Sequence, residues 1–352
     1  MITALSLTVP VYALDLEDQI DTGSLIDSLP EGVDSIFEDY KPTQLPDEDI
    51  LDRMLYRAGE ALRETAAPVT KTAGVFITVC LFISLADTLK LGDTAPRFIL
   101  FAGVAAIGTT ALSDLDSYLQ MGIDSLHNIA EYAKQLLPVL SSAAALTGTV
   151  GSAAAKYAAT SLFMSVFLDI ADQVVVPCVC AYAALAVADA AVGNNTLKTA
   201  KKLLKNICTI LLTCICMAFT AYLGLTGVVT EAADAVAARA AKTAISGALP
   251  VVGGVLADAA GTLAAAAGAL RGSIGIFGLL AVCGMCLTPF AALGMRYAAY
   301  KLSAAFCSCI SDKRLTVLVE DLGSCFGIVL ALNGAGALML FMSVYSLIRT
   351  VM

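Results

Sequence analysis

Five aspartates fall within or at the edge of apolar runs: Asp87, Asp169, Asp172, Asp189 and Asp258. A carboxylate in a bilayer is costly, so it faces protein or a water-filled cavity and marks a functional position by default. Asp258 has the most distinctive surroundings. It lies on a seam where glycine recurs every seven residues, at Gly247, Gly254, Gly261, Gly268 and Gly275. On a helix these positions follow one slowly drifting face. Small residues there let a second backbone approach closely. Gly247, Gly254, Asp258, Gly261 and Gly268 therefore read as a helix-packing seam that carries an acid. Asp169 and Asp172, with Asp258, are candidates for a polar cavity. The competing reading for all three is a structural hydrogen bond between helices. Asp87 and Asp189 stand at the ends of runs, where headgroups can solvate them.

The remaining chemistry-bearing residues carry less. Cys283-Gly-Met-Cys286 has the spacing of a redox or metal pair. It lies inside an apolar run with no second pair or histidine cluster, so packing is the better reading. His127 is the one histidine of the chain. It sits near Asp124 and Glu131 without a nucleophile or metal partner, as a solvated surface residue would. Gly148-Thr-Val-Gly151 lacks the lysine of a phosphate-binding loop. No Ser-His-Asp, HExxH or Walker arrangement occurs. No catalytic, cofactor-binding or metal-ligating residue is assigned, and an enzyme is not expected.

These residues are positioned by an exceptionally apolar chain. Of 352 residues, 58% are hydrophobic and 14% charged, against about 25% charged in soluble domains. Mean hydropathy is +0.82. Several runs reach the roughly 20 residues that cross a bilayer. The expected fold is all-α: a polytopic helical membrane protein with about seven to eight apolar segments, some re-entrant or broken. Strands alternating polar and apolar residues, as in a β-barrel, are absent from the pattern.

Charge divides the chain. Residues 1–65 hold 15 acidic and 4 basic residues, whereas 66–352 hold 15 and 17. Residues 1–13 resemble the end of a signal peptide, with Val11-Tyr12-Ala13 as a small-residue cleavage site. Residues 14–65 form an acidic extracytoplasmic segment ending in an amphipathic helix, and 66–352 form the multi-pass membrane domain. No clustered basic face suited to nucleic acid is present, and membrane lipids are the expected surroundings.

The expected spans are 72–89, 98–112, 136–155, 207–229, 273–295 and 323–348. Residues 113–134 read as an external loop with an amphipathic helix, and 157–192 as a tight or broken hairpin. Gly323-x-x-x-Gly327 and Asn333-Gly334 mark the last span as a packing helix. The loop 193–206 is the most basic, with Lys198, Lys201, Lys202 and Lys205, and is cytoplasmic by the positive-inside rule. One conflict follows. If every run crosses once and the N-terminus is outside, the basic 296–314 region falls outside as well. A re-entrant or broken 248–270, with Pro250 and Gly253-Gly254 as breakers, removes it.

Three stretches resemble the stage III sporulation protein AE family of endospore-forming bacteria. They are Leu136-Leu-Pro-Val-Leu-Ser-Ser-Ala-Ala-Ala-Leu-Thr-Gly-Thr-Val-Gly-Ser152, Gly193-Asn-Asn195 with its lysine-rich continuation, and Arg239-Ala-Ala-Lys-Thr-Ala-Ile-Ser-Gly-Ala-Leu-Pro-Val-Val-Gly-Gly-Val-Leu-Ala-Asp258. The resemblance spans roughly residues 65–348. It implies a multi-pass component, scaffold or export gate, of a secretion-like channel complex joining mother cell and forespore. The implied location is the mother-cell membrane around the forespore. Implied partners are the other stage III A operon proteins: a cytoplasmic ATPase, ring-forming proteins and small membrane components. The forespore stage II Q protein is an indirect partner, and copies of the chain itself are a further one. The family brings no catalytic residues and no cofactor. The reading from another class is a stand-alone secondary transporter that uses midplane acids in broken helices.

Overall fold

The computed structural model describes residues 25–26, 29–30, 33, 36–37, 48–89, 95–146, 150–248, 253–310 and 312–349. Side chains at 48–49, 87, 95–97, 145–146, 150, 226–248, 253–271 and 349 lie outside the description. All regular elements of the described residues are helical. They are α1 (Glu48–Thr88), α2 (Ala95–Leu146), α3 (Val150–Ile170), a π-helical turn (Ala171–Val175), α4 (Val176–Val192), α5 (Asn195–Ala248), α6 (Gly253–Ile310) and α7 (Lys313–Arg349). Six stretches of these are long and apolar enough to cross a membrane, against the seven to eight segments expected.

The shortfall comes from merged segments. Residues 113–134, expected as an external loop, are the middle of the 52-residue α2. Leu115, Leu119, Leu126, Ile129 and Ala133 recur at helical spacing and are buried. That apolar face continues through the polar stretch and holds it in the bundle. Residues 157–192, expected as a hairpin, form one run of helix interrupted only by the π turn. Pro177 explains the interruption. Its ring clashes with the carbonyl four residues back, at Gln173, and a wider turn there relieves the clash.

The expected basic loop is also mostly helix. Gly193 adopts φ 73°, closing α4 with its N–H on the Asp189 carbonyl at 2.7 Å. Only glycine enters that left-handed conformation freely. Asn194 then caps α5 by accepting from the Thr196 N–H at 3.1 Å. Residues 249–252, which include the expected breaker Pro250, lie outside the described residues. Residues 253–270 do not form a segment of their own but begin the 58-residue α6.

Pairwise contacts fix the helix directions. Thr72 meets Asp114 and Ile83 meets Gly103, so α1 and α2 are antiparallel. Tyr297 meets Gly327 and Phe290 meets Gly334, so α6 and α7 are antiparallel as well. Lys201 meets Asp321 and Thr220 meets Met342, so α5 runs parallel to α7. Thr160 meets Ser343 and Tyr182 meets Asp321, so α3 and α4 oppose α7. The end of α1, the α4–α5 turn and the α6–α7 turn thus share one end of the bundle, called basal below. Arg314 lies against Gly193 and ties the two turns together. The start of α1 and the end of α7 are at the opposite, distal end.

The bundle is longer than a bilayer is thick. The 42-residue stretch Gly151–Val192 rises about 63 Å, against a hydrocarbon core of about 30 Å. At the distal end the N-terminal segment joins the core. Leu25, Leu29, Ile36 and Phe37 are buried. The Phe37 and Phe277 rings meet edge-on at 4.9 Å, and Val33 and Ile36 lie against Gly284.

Candidate functional site

Two clusters of buried charge join helices that are far apart in the chain. In the first, Arg296 of α6 is 3% exposed. Its Nη1 donates to Asp114 Oδ2 of α2 at 2.7 Å and to Thr72 Oγ1 of α1 at 2.7 Å. The Thr72 hydroxyl donates to the same carboxylate oxygen at 3.0 Å, and the Tyr300 hydroxyl does so at 3.3 Å. The guanidinium also stacks over the Tyr118 ring, 4.6 Å from its centroid. Three helices are thereby held in one register. Arg296 Nε has no hydrogen-bond partner among the described residues.

In the second cluster, Lys201 of α5 is buried between two carboxylates. Its Nζ lies 2.8 Å from Asp189 Oδ2 of α4 and in direct contact with Asp321 Oδ2 of α7. The Tyr182 hydroxyl donates to Asp321 Oδ1 at 2.9 Å. One turn further along α5, Lys205 Nζ donates to Ser324 Oγ at 3.3 Å, and Lys301 Nζ of α6 reaches the same oxygen at 3.4 Å. A smaller tie joins α3 to α7: the Thr160 and Ser343 hydroxyls meet, and Lys156 Nζ donates to the Ser346 carbonyl at 3.1 Å.

Asp169 and Asp172 share a polar cavity of about 250 Å³ with His127, Lys134 and Tyr157. Asp172 lies in the π turn. Its Oδ2 is 3.2 Å from His127 Nε2, while His127 Nδ1 faces the Ile123 carbonyl at 3.0 Å. His127 of α2 is thus paired with an acid of the π turn, not merely solvated. Both side chains remain roughly half exposed, at 48% and 40%.

The basic residues divide. Lys201 belongs to the buried cluster, whereas Lys198, Lys202 and Lys205 are exposed on the first turns of α5. The packing seam falls on the C-terminus of α5 and the first half of α6. Side chains at Gly247, Gly254, Asp258, Gly261 and Gly268 lie outside the described residues. Gly275, the next residue of that heptad series, is described and is packed against Ile348 of α7 and Leu140 of α2. Gly323 and Gly327 likewise let α7 approach Tyr300 and Tyr297 of α6.

Sequence reasoning missed the two charge clusters. Asp189 was assigned to headgroups, Lys201 to a loop, and Asp114 and Arg296 to polar segments. A signal was present: each of these charges sits at helical spacing between apolar residues on a face that continues into the core. What the two clusters can do chemically is hold helices together, because Asp114, Asp189 and Asp321 each pair with a cation from another helix.

The family model of stage III sporulation protein AE matches residues 42–350. No curated protein matches the chain, and no solved structure does. With nearly the full described bundle inside the match, the chain belongs to the stage III sporulation protein AE family.

Proposed function

We propose that this sporulation protein is a membrane scaffold or export-gate component of the transenvelope complex between mother cell and forespore, with half of its bundle standing outside the bilayer. The observation that carries this is the surplus of apolar length. Even a tilt of about 40°, the top of the usual range, leaves Gly151–Val192 about 48 Å tall. Exposed large apolar side chains continue beyond one bilayer thickness. Leu338 lies about 38 Å and Leu162 about 45 Å from the basal end by helix rise, and both are 59% exposed. Apolar surface outside lipid calls for protein to cover it.

Polar residues mark where the bilayer ends. Asp114, Asp172 and Asn333 each lie about 30 Å from the basal end. Phe277, which receives Phe37 of the acidic N-terminal segment, lies about 50 Å away. A segment so rich in carboxylates packs outside lipid, which supports a distal half in the space between the membranes.

The basal end carries Lys198, Lys202, Lys205, Lys313 and Arg314, and the positive-inside rule makes it cytoplasmic. The six stretches then run from an outside N-terminus, and the basic turn at Lys313 and Arg314 falls on the inside, while Arg296 is held within the bundle by Asp114. The charge conflict is removed without a re-entrant loop. The other stage III A operon proteins, the forespore stage II Q protein and further copies of this chain are the partners this reading assigns.

A stand-alone secondary transporter remains the second reading, favoured by the π turn that brings Asp172 to His127 beside a polar cavity. Broken helices with acids are a transporter feature. Co-purification from sporulating cells decides between them. Recovery of other components of the sporulation complex supports the scaffold. Their absence, together with ion-coupled uptake by the purified protein in liposomes, supports the transporter.

A further inference from the structure

At the basal end a cavity of about 310 Å³ opens between the α4–α5 turn and the first turn of α7. Its charged lining is Lys198, Lys201, Lys313 and Arg314 against Asp189 and Asp312. Each carboxylate has a partner on one oxygen, while Asp189 Oδ1 is buried without a hydrogen-bond partner among the described residues. Asp189 pairs with Lys201, and Asp312 Oδ1 accepts from the Arg314 backbone N–H at 2.9 Å. Lys198, Lys313 and Arg314 form no ion pair among the described residues.

The dipoles add to this excess. The parallel helices α5 and α7 both begin at the cavity, and neither has an acidic residue in its first turn. A helix N-terminus carries partial positive charge and ordinarily attracts acids. Here Asn194 and Asp312 cap the two N-termini, and lysine and arginine, not acids, occupy the first turns beyond the caps. The cavity wall is completed by Ala186, Ala190 and Val317. Val192, next to the lining residue Gly193, is 66% exposed, as at a lipid-facing rim.

We infer that this cavity binds a phosphate group, supplied by the headgroup of an anionic phospholipid such as phosphatidylglycerol. Arg314 and Lys313 contact the phosphate oxygens, Lys198 neutralises the charge from α5, and the acyl chains leave past Val192. Basic pockets between membrane helices recognise anionic headgroups on these grounds. The inference does not depend on the sporulation complex.

The test uses the full chain in nanodiscs of phosphatidylcholine with a minor fraction of phosphatidylglycerol, reading retained lipid by native mass spectrometry. Phosphatidylglycerol should be retained preferentially. K313Q and R314Q should each weaken that preference about fivefold, from roughly 1 kcal/mol per cation near the surface. K198Q/K313Q/R314Q should abolish it. K202Q, on α5 outside the cavity, should leave it unchanged. In a second arm, inorganic phosphate is added to lipid-depleted protein in detergent. A rise in melting temperature that R314Q loses, without preferential lipid retention, assigns the site to soluble phosphate. Equal retention of both lipids with no phosphate effect overturns the inference. So does wild-type behaviour of R314Q in both arms. If the triple variant fails to fold, the wild-type lipid comparison and the R314K variant, which should keep the preference, decide.

Discussion

The two buried charge clusters set different demands on single residues. Arg296 is a cation removed from water, and Asp114 is the carboxylate that makes it tolerable. Deleting one partner of such a pair leaves an uncompensated charge and costs about 3–5 kcal/mol, whereas replacing both with apolar residues is often neutral. Asp114→Ala should therefore lower the thermal stability of the purified protein strongly. The double variant Asp114→Leu with Arg296→Met should recover much of the loss in the same melting experiment. Recovery no better than additive would show that the pair is not the unit. Asp258→Asn tests the seam separately: assembly should persist if the acid only hydrogen-bonds, and sporulation should fail if its charge is used. Of this chemistry, the sequence made the intramembrane acids legible but not their partners. Asp189 and Lys201 are separated by one short turn and could be matched by eye. Asp114 and Arg296 are brought together by tertiary packing alone, and local pattern carries no trace of that.

Glycine and proline govern the elements. Gly327 lets Tyr297 lie on the backbone of α7, so Gly327→Leu should separate α6 from α7. Reduced melting temperature, with increased labelling of the buried Cys325 by a thiol reagent, is the expected outcome. Gly254→Leu should impair assembly of the complex by blocking close helix approach; unchanged complex formation and sporulation would defeat the seam. The helical membrane character and the last packing helix are readable from composition and spacing. The merged helices are not. Polar residues at 113–134 lower hydropathy enough to suggest a loop, while the apolar face that keeps α2 intact is visible only as a period. In 157–192 the run was too short for two crossings and too long for one. The resolution is a helix longer than the bilayer, which a span-counting rule does not allow for.

For the whole molecule, alternating helix directions place Gly193 and Arg314 at one end and the N-terminal segment at the other. Cysteines introduced at Lys202 and Lys313 should react with an impermeant thiol reagent only after the membrane is opened, and one at Leu55 should react in intact cells, in a background where native reactive cysteines are replaced. Labelling of Lys202 and Leu55 from the same side would refute the assigned topology. In the proposed arrangement the distal half of the bundle stands outside lipid and is covered by partners in the sporulation complex. Photo-crosslinking in sporulating cells distinguishes protein from lipid around it, with the reactive group placed at Leu162 or Leu338 and, for comparison, at Phe82 near the basal end. Leu162 and Leu338 should give protein adducts containing other sporulation components, and Phe82 predominantly lipid adducts. Lipid adducts alone from all three positions would contradict this arrangement.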